Sequence, residues 1–99
     1  MRIWAKTVQN HRIQSDVVRE FSSARPSDLY GWTEIIDVLC KALDLERPVI
    51  LEKHIRDLNA FHGTVFRASD FMDAVPFDRF ELEIFPEKKQ NDPSFFDAY

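Results

Sequence analysis

Three side chains that could bind a metal ion or transfer a proton lie in one short stretch of the sequence. His54, Asp57 and His62 belong to the segment VILEKHIRDLNAFHG, which covers residues 49 to 63. On a regular helix these three side chains would fall within about 140° of arc, so they could share a ligand. Imidazole and carboxylate groups bind zinc and manganese. A small metal-dependent hydrolase centred on these residues is therefore one hypothesis for the function.

The spacing of these residues, however, matches no established metal or acid/base motif. It is neither H-E-x-x-H nor a paired set of cysteines and histidines. Gly63 is expected to adopt the left-handed conformation and to end the helical turn before one regular helix could carry both histidines. We therefore expect Asp57 to cap the following turn and both histidines to lie at the surface. No catalytic residue and no cofactor is predicted, and metal binding is kept only as the weaker alternative.

For the other residues with reactive side chains, a structural role is also the favoured interpretation. Cys40 lies on an apolar helical stripe, where burial makes a thiol inert. Glu81 and Glu83 share one face of a predicted strand and could act as paired carboxylates, but a charged sheet face that pairs with Lys6 is the favoured interpretation. The sequence has no G-x-S-x-G motif, and its two glycines cannot form a phosphate-binding loop. These features favour a non-catalytic protein over an enzyme.

Length and composition indicate one globular domain, residues 1–86, followed by a polar tail with an aromatic tip, residues 87–99. The chain has 99 residues, of which 44% are hydrophobic and 30% charged, and a net charge of −4. Its 13 Lys and Arg residues are scattered along the sequence, which argues against a nucleic-acid partner. The single cysteine and the lack of a signal segment favour the cytoplasm, and no apolar run is long enough for a membrane span.

Hydrophobic periodicity predicts an α+β fold in which four to five strands pack on one main helix. The helix, about residues 29–43, is indicated by an apolar stripe with helical spacing and is capped by Ser27 or Asp28. The stripe consists of Trp32, Ile35, Ile36, Leu39, Cys40 and Leu43. The predicted strands are 1–8, 12–21, 48–51, 64–66 and 79–85. Short helical turns are expected near 55–62 and 69–73.

The order of these elements resembles the ubiquitin-like β-grasp fold across residues 1 to 85. The opening MRIWAKT and the later RASDFMDAVPFDRFELEIF, in which a capped turn precedes the last strand, carry this resemblance. It implies a mixed sheet that curls around one helix, with the last strand parallel to the first at the sheet centre. The chain ends Asp97-Ala98-Tyr99 rather than in two glycines, so conjugation through the C-terminus is not implied. The segment LDLERPVILEKHIRDLNAF also resembles a group of short bacterial proteins of unknown function, which implies no activity.

Exposed aromatic residues suggest where a partner could bind. If Ile3 and Ala5 face the helix, the opposite sheet face carries an aromatic and apolar group, and tryptophan is enriched among interface anchors. The tail segment SFFDAY could dock on the same domain or on another copy. The candidate partner-binding residues are Trp4, Lys6, Val8, Phe85, Phe95, Phe96 and Tyr99. The sequence therefore predicts a non-catalytic protein-interaction module, with the hydrolase and an acidic antitoxin-like regulatory subunit as alternatives.

Overall fold

The computed structural model describes residues 1–22 and 24–86 of the chain. These residues form four strands, two α-helices and one 3₁₀ turn, so the predicted α+β class is confirmed. In chain order the elements are β1 (Arg2–Gln9), β2 (Arg12–Glu20), α1 (Leu29–Ala42), α2 (Glu52–Phe61), β3 (Gly63–Arg67), the 3₁₀ turn Ala68–Asp70 and β4 (Arg79–Ile84).

The four strands form one antiparallel sheet in the order β2-β1-β4-β3. The first and last strands are neighbours at the sheet centre, as expected, and pair Ile3 with Ile84 and Ala5 with Leu82. Their direction differs from the expectation, because β1 and β4 run antiparallel rather than parallel. The parallel pairing implied by the β-grasp resemblance is therefore wrong, and the β-grasp fold is not confirmed. Because β4 also pairs antiparallel with β3, β3 runs in the same direction as β1, and the chain reverses once more before it enters β4.

Alternation along β1 and β4 explains why they form the centre of the sheet. Ile3 and Ala5 of β1 and Leu82 and Ile84 of β4 are buried on the face that packs against the helices. The β1–β2 hairpin turns at Asn10 and His11, whose φ angles of 54° and 67° are those of a two-residue type I′ turn.

β2 is an edge strand, and it is exposed along nearly its whole length. Its register against β1 shifts between Thr7 and Val8, which pair with Ser15 and Ile13, so Gln14 is an extra residue that forms a β-bulge. A bulge interrupts the alternation of faces, and together with charged side chains it discourages the edge from pairing with other strands.

Helix α1 forms as its apolar stripe predicted. Asp28 is the N-cap, and its side chain accepts a hydrogen bond from the Gly31 N–H at 3.0 Å. At the other end, Leu45 N–H bonds the Cys40 carbonyl at 2.8 Å and Asp44 N–H bonds the Lys41 carbonyl at 3.1 Å. Asp44 has φ 59°, so the helix ends in a Schellman motif with an aspartate at the position that usually holds glycine.

The segment between the helices differs from the prediction. Residues 48–51 form no strand, because this stretch bonds the turn before β4 rather than the sheet: Val49 N–H donates to the Asp70 carbonyl at 2.8 Å. Helix α2 spans Glu52–Phe61, which is longer than the one or two turns expected. The helix begins after Leu51, whereas the apolar spacing that predicted a helical turn begins only at Ile55.

Both helices pack on one face of the sheet and enclose a single core. The largest fully buried side chains are Trp32, Phe66, Phe80, Ile3, Ile36, Leu39, Leu58, His54 and Cys40. Phe71 packs edge-on against Phe77 and Phe80, with ring centroids 5.3 and 6.1 Å apart, and so joins the loop before β4 to this core. The opposite face of the sheet, called the outer face below, is covered by neither of the two described helices.

Candidate functional site

His54 lies in the core rather than at the surface. Its side chain is 0% exposed and its ring packs against Phe66 with centroids 4.1 Å apart. Leu51 N–H donates to Nδ1 at 2.9 Å, so His54 caps the start of α2. Since Nδ1 is an acceptor, the neutral ring carries its proton on Nε2, which has no hydrogen-bond partner and lies 3.8 Å from an Asp70 carboxylate oxygen. Burial lowers the pKa of His54, and the nearby Asp70 opposes this shift.

Asp57 and His62 interact with different parts of the molecule. Thr64 Oγ donates to Asp57 at 3.3 Å, which links α2 to β3. His62 is exposed at the end of α2 and its Nδ1 lies 2.9 Å from an Arg25 guanidinium nitrogen. Within residues 1–22 and 24–86, no group of three His, Cys, Asp or Glu side chains is placed to hold a metal ion. The geometry therefore gives the hydrolase hypothesis no assembled site.

The end of α2 also corrects the expected role of Gly63. No glycine of the described chain has a positive φ, and it is His62, at φ 63°, that adopts the left-handed conformation. Gly63 is instead required by close packing. A Cβ on this residue would lie 2.8 Å from the Leu82 carbonyl oxygen of β4, closer than van der Waals contact permits.

Cys40 is buried in the core, as its position on the α1 stripe predicted. Burial raises the pKa of the thiol to about 12, and the negative charge of Asp37 adds to the shift. A thiol with this pKa is protonated at neutral pH and is a poor nucleophile.

An aromatic pair occupies the outer face of the sheet. The rings of Trp4 and Phe85 are stacked, with centroids 6.3 Å apart and planes 9° from parallel. Lys6 Nζ lies 3.7 Å from the Trp4 ring centroid, and the Arg2 guanidinium lies 5.2 Å from that of Phe85. Trp4 Nε1 also donates to an Asp16 carboxylate oxygen at 2.8 Å. The sequence-based pairing of Trp4 with Phe85 on this face thus agrees with the geometry.

Ion pairs surround the aromatic pair on two neighbouring strands. Lys6 Nζ lies 3.4 Å from a Glu83 oxygen and 3.8 Å from a Glu81 oxygen, and Arg79 Nε donates to Glu81 at 2.8 Å. The two glutamates therefore form the charged sheet face expected for them, with Lys6 as their partner.

The remaining partner-binding candidates have different outcomes. Val8 is only 4% exposed, because it lies where the bulge shifts the register, and it adds no open surface. Phe95, Phe96 and Tyr99 lie outside the described residues. Val18, which the sequence analysis did not single out, is 44% exposed and lies directly opposite Trp4 on β2.

A groove that sequence reasoning missed runs along β3. Its volume is about 790 Å³. One wall is formed by Lys53, Asp57 and Phe61 of α2, and the other by outward side chains of β4 and β1. The floor includes Gly63, Val65 and Arg67 of β3, and Pro86 lies at one end. Its lining residues come from elements that are far apart in the sequence, so the pattern of no single segment indicated it.

Neither helix in the described part of the chain combines the length and hydrophobicity needed to cross a membrane. Comparison with known proteins identifies no relative: no family model, no curated protein and no solved structure matches this chain.

Proposed function

We propose that this chain is a non-catalytic protein-binding module that binds its partner through the outer face of the sheet. The observation that carries the proposal is the Trp4–Phe85 pair, stacked at 6.3 Å on the sheet face opposite to the two described helices. Both residues are only partly buried, and the half-exposed Val18 lies beside them. Together the three residues define the aromatic patch.

The aromatic patch is held rigid before any partner arrives. Trp4 is fixed on three sides, by the Phe85 ring, the Lys6 ammonium and the hydrogen bond to Asp16. Binding therefore loses little side-chain entropy at this position, while the rings offer a large apolar area. Preorganised aromatic residues of this kind commonly contribute a large part of the energy of an interface.

The charges around the patch indicate the chemistry of the partner. On the three strands around the patch, the carboxylates of Asp16, Glu20, Glu81 and Glu83 lie among three cations, Arg2, Lys6 and Arg79. Arg2 and Lys6 are already engaged with the aromatic rings and Arg79 with Glu81, whereas the Glu83 side chain is 53% exposed. We therefore expect a protein partner whose contact surface has an apolar centre and a basic rim, because opposite charges around an interface favour association.

A matched pair of substitutions tests this surface. Val18 and Val38 are 44% and 45% exposed, but Val18 lies beside Trp4 on the sheet whereas Val38 lies on α1. Proteins captured from the native cell by the wild-type chain would be purified, and the binding of each to the Val18→Arg and Val38→Arg chains measured by calorimetry. We expect one captured protein to bind Val18→Arg at least about tenfold more weakly, because the arginine places a charge against the apolar centre of its contact surface.

The same protein should bind Val38→Arg as tightly as wild type, and its affinity should fall as salt is added. Circular dichroism would verify that both variants are folded. Equal binding to both variants by every captured protein would contradict the proposal, and so would a captured protein whose loss of binding appears only with Val38→Arg.

A further inference from the structure

Among the described strands, β3 lies at one edge of the sheet and has a neighbour, β4, on one side, so its other edge, called the free edge below, can pair with another strand. Ile84 N–H bonds the His62 carbonyl at 2.8 Å, and Ala68 N–H bonds the Asp78 carbonyl at 3.1 Å. In an antiparallel ladder, successive residues point their backbone N–H and C=O groups alternately toward the neighbouring strand and away from it. The even-numbered residues of β3 therefore bond β4, and the odd-numbered residues point these groups away from β4. The N–H and C=O groups of Gly63 and Val65 therefore face the groove.

The groove changes in character along its length because α2 runs antiparallel to β3. Thr64 contacts Asp57, and further along the strand Phe66 contacts His54, one turn earlier in the helix. Phe61 therefore flanks the Gly63 end of the groove. Phe61 is 75% exposed and Val65 is 44% exposed, so this end is apolar.

The far end of the groove is cationic. Lys53, at the start of α2, and Arg67, at the end of β3, both line it. Within the described part of the chain neither side chain has a carboxylate at ion-pair distance. A segment that fits this groove must therefore carry apolar side chains first and an acidic side chain after them, counted from the Gly63 end.

The C-terminal segment SFFDAY, residues 94–99, has this order. Phe95 and Phe96 come first and Asp97 follows. The chain leaves β4 at the Gly63 end of the groove, where Pro86 already forms part of the lining. Crossing β3 to reach its free edge requires roughly 10 Å, which is two strand spacings. The connecting residues 87–93 can span about 23 Å when extended, so the segment can reach the groove.

We propose that residues 94–99 of this chain pair with the free edge of β3 as an additional strand, parallel to β3, between β3 and α2. Phe95 and Phe96 contact Phe61 and Val65, and Asp97 lies near Lys53 and Arg67. Strand addition to an exposed edge provides main-chain hydrogen bonds, while the flanking side chains determine which segment fits. The proposal uses none of the three residues of the aromatic patch and does not depend on it.

Hydrogen exchange at Val65 tests the proposal in the full chain. If the segment pairs with β3, the Val65 amide exchanges slowly, and Phe95→Ser/Phe96→Ser should speed its exchange at least about tenfold by removing the apolar contacts. Lys88→Ser/Lys89→Ser, in the connecting residues, is the matched control and should leave the rate unchanged. The Val18 amide is an internal reference, because it also lies on a free edge, that of β2.

A charge exchange provides a second measurement. Arg67→Glu places a carboxylate beside Asp97 and should also speed exchange at Val65, whereas adding Asp97→Arg should restore the slow rate. Three results would overturn the proposal. The first is an equal Val65 exchange rate in wild type and Phe95→Ser/Phe96→Ser. The second is an equal effect of Arg67→Glu with and without Asp97→Arg. The third is Val65 protection that increases with protein concentration while light scattering shows a dimer. The last result would assign the groove to the segment of a second copy.

Discussion

At the scale of single residues, burial decides what the histidines of α2 can do. His54 and His62 belong to one segment, yet His54 is enclosed by the core and His62 is exposed beside Arg25. His54 works as a helix cap that accepts the Leu51 N–H. Protonation of Nδ1 would remove this acceptor and place a charge in the core, so a cap of this kind is sensitive to acid.

The pKa of His54 predicts a loss of stability in mild acid. Because burial lowers this pKa in the folded chain, the unfolded chain binds more protons once the pH falls to about 6.5, the ordinary value for histidine. The free energy of unfolding should therefore decrease as the pH is lowered from about 7.5 to 5.5. Denaturant titrations at several pH values would measure this slope.

The control for the pH slope is His54→Gln. Glutamine can accept the Leu51 N–H at the same helical position but does not titrate. We expect this variant to be less stable than wild type at neutral pH, because it loses the contact with Phe66, and to show a shallower slope. An unchanged slope in His54→Gln would assign the pH dependence to other groups.

At the scale of secondary structure, periodicity predicted the elements whose side chains divide clearly into two faces. The α1 stripe and the alternation of β4 each place apolar residues on one side, and the structure confirms both with small changes at the ends. Helix α2 was underestimated, because its buried residues His54, Ile55 and Leu58 are few and one of them is polar. Residues 48–51 are apolar enough for a strand, but their backbone bonds a turn instead.

The close approach of β3 to β4 predicts different outcomes for the two glycines. Gly63→Ala should destabilise the fold by about 1–3 kcal/mol, because the new methyl group would meet the backbone oxygen of Leu82, which the sheet holds in place. In Gly31→Ala the methyl group would meet the ring of Pro26, in a loop. Alanine is also favoured over glycine inside a helix by about 1 kcal/mol, so this variant should lose less stability.

Denaturant unfolding of the two alanine variants beside wild type would measure both effects. A Gly63→Ala chain that unfolds at the wild-type denaturant concentration would show that β3 and β4 can separate without cost. The same result would weaken the assignment of β3 as a fixed floor of the groove.

At the scale of the whole molecule, the two faces of the sheet have different surroundings. The inner face and both helices share one core that includes Trp32, Phe66 and Phe80. The outer face has the aromatic patch and its ion pairs, and the groove follows the β3 edge. In the proposed function, the partner therefore binds the side of the four-stranded layer opposite to the core.

Cys40 reports on the integrity of the whole core. Since burial raises its pKa to about 12, alkylation of the folded chain by iodoacetamide near about pH 8 should be at least about a thousandfold slower than that of the unfolded chain. Labelling should accelerate over the same range of denaturant in which the fluorescence of the buried Trp32 changes. Rapid labelling without denaturant would mean that the α1 end of the core opens locally.

The sequence by itself determined the α+β class, the main helix and its Asp28 or Ser27 cap. Local periodicity and capping chemistry suffice for these features. Only the tertiary structure decided the antiparallel direction of β4, the burial of His54 and the groove along β3. These depend on how elements far apart in the chain pack together, and side-chain spacing within one segment carries no record of that packing.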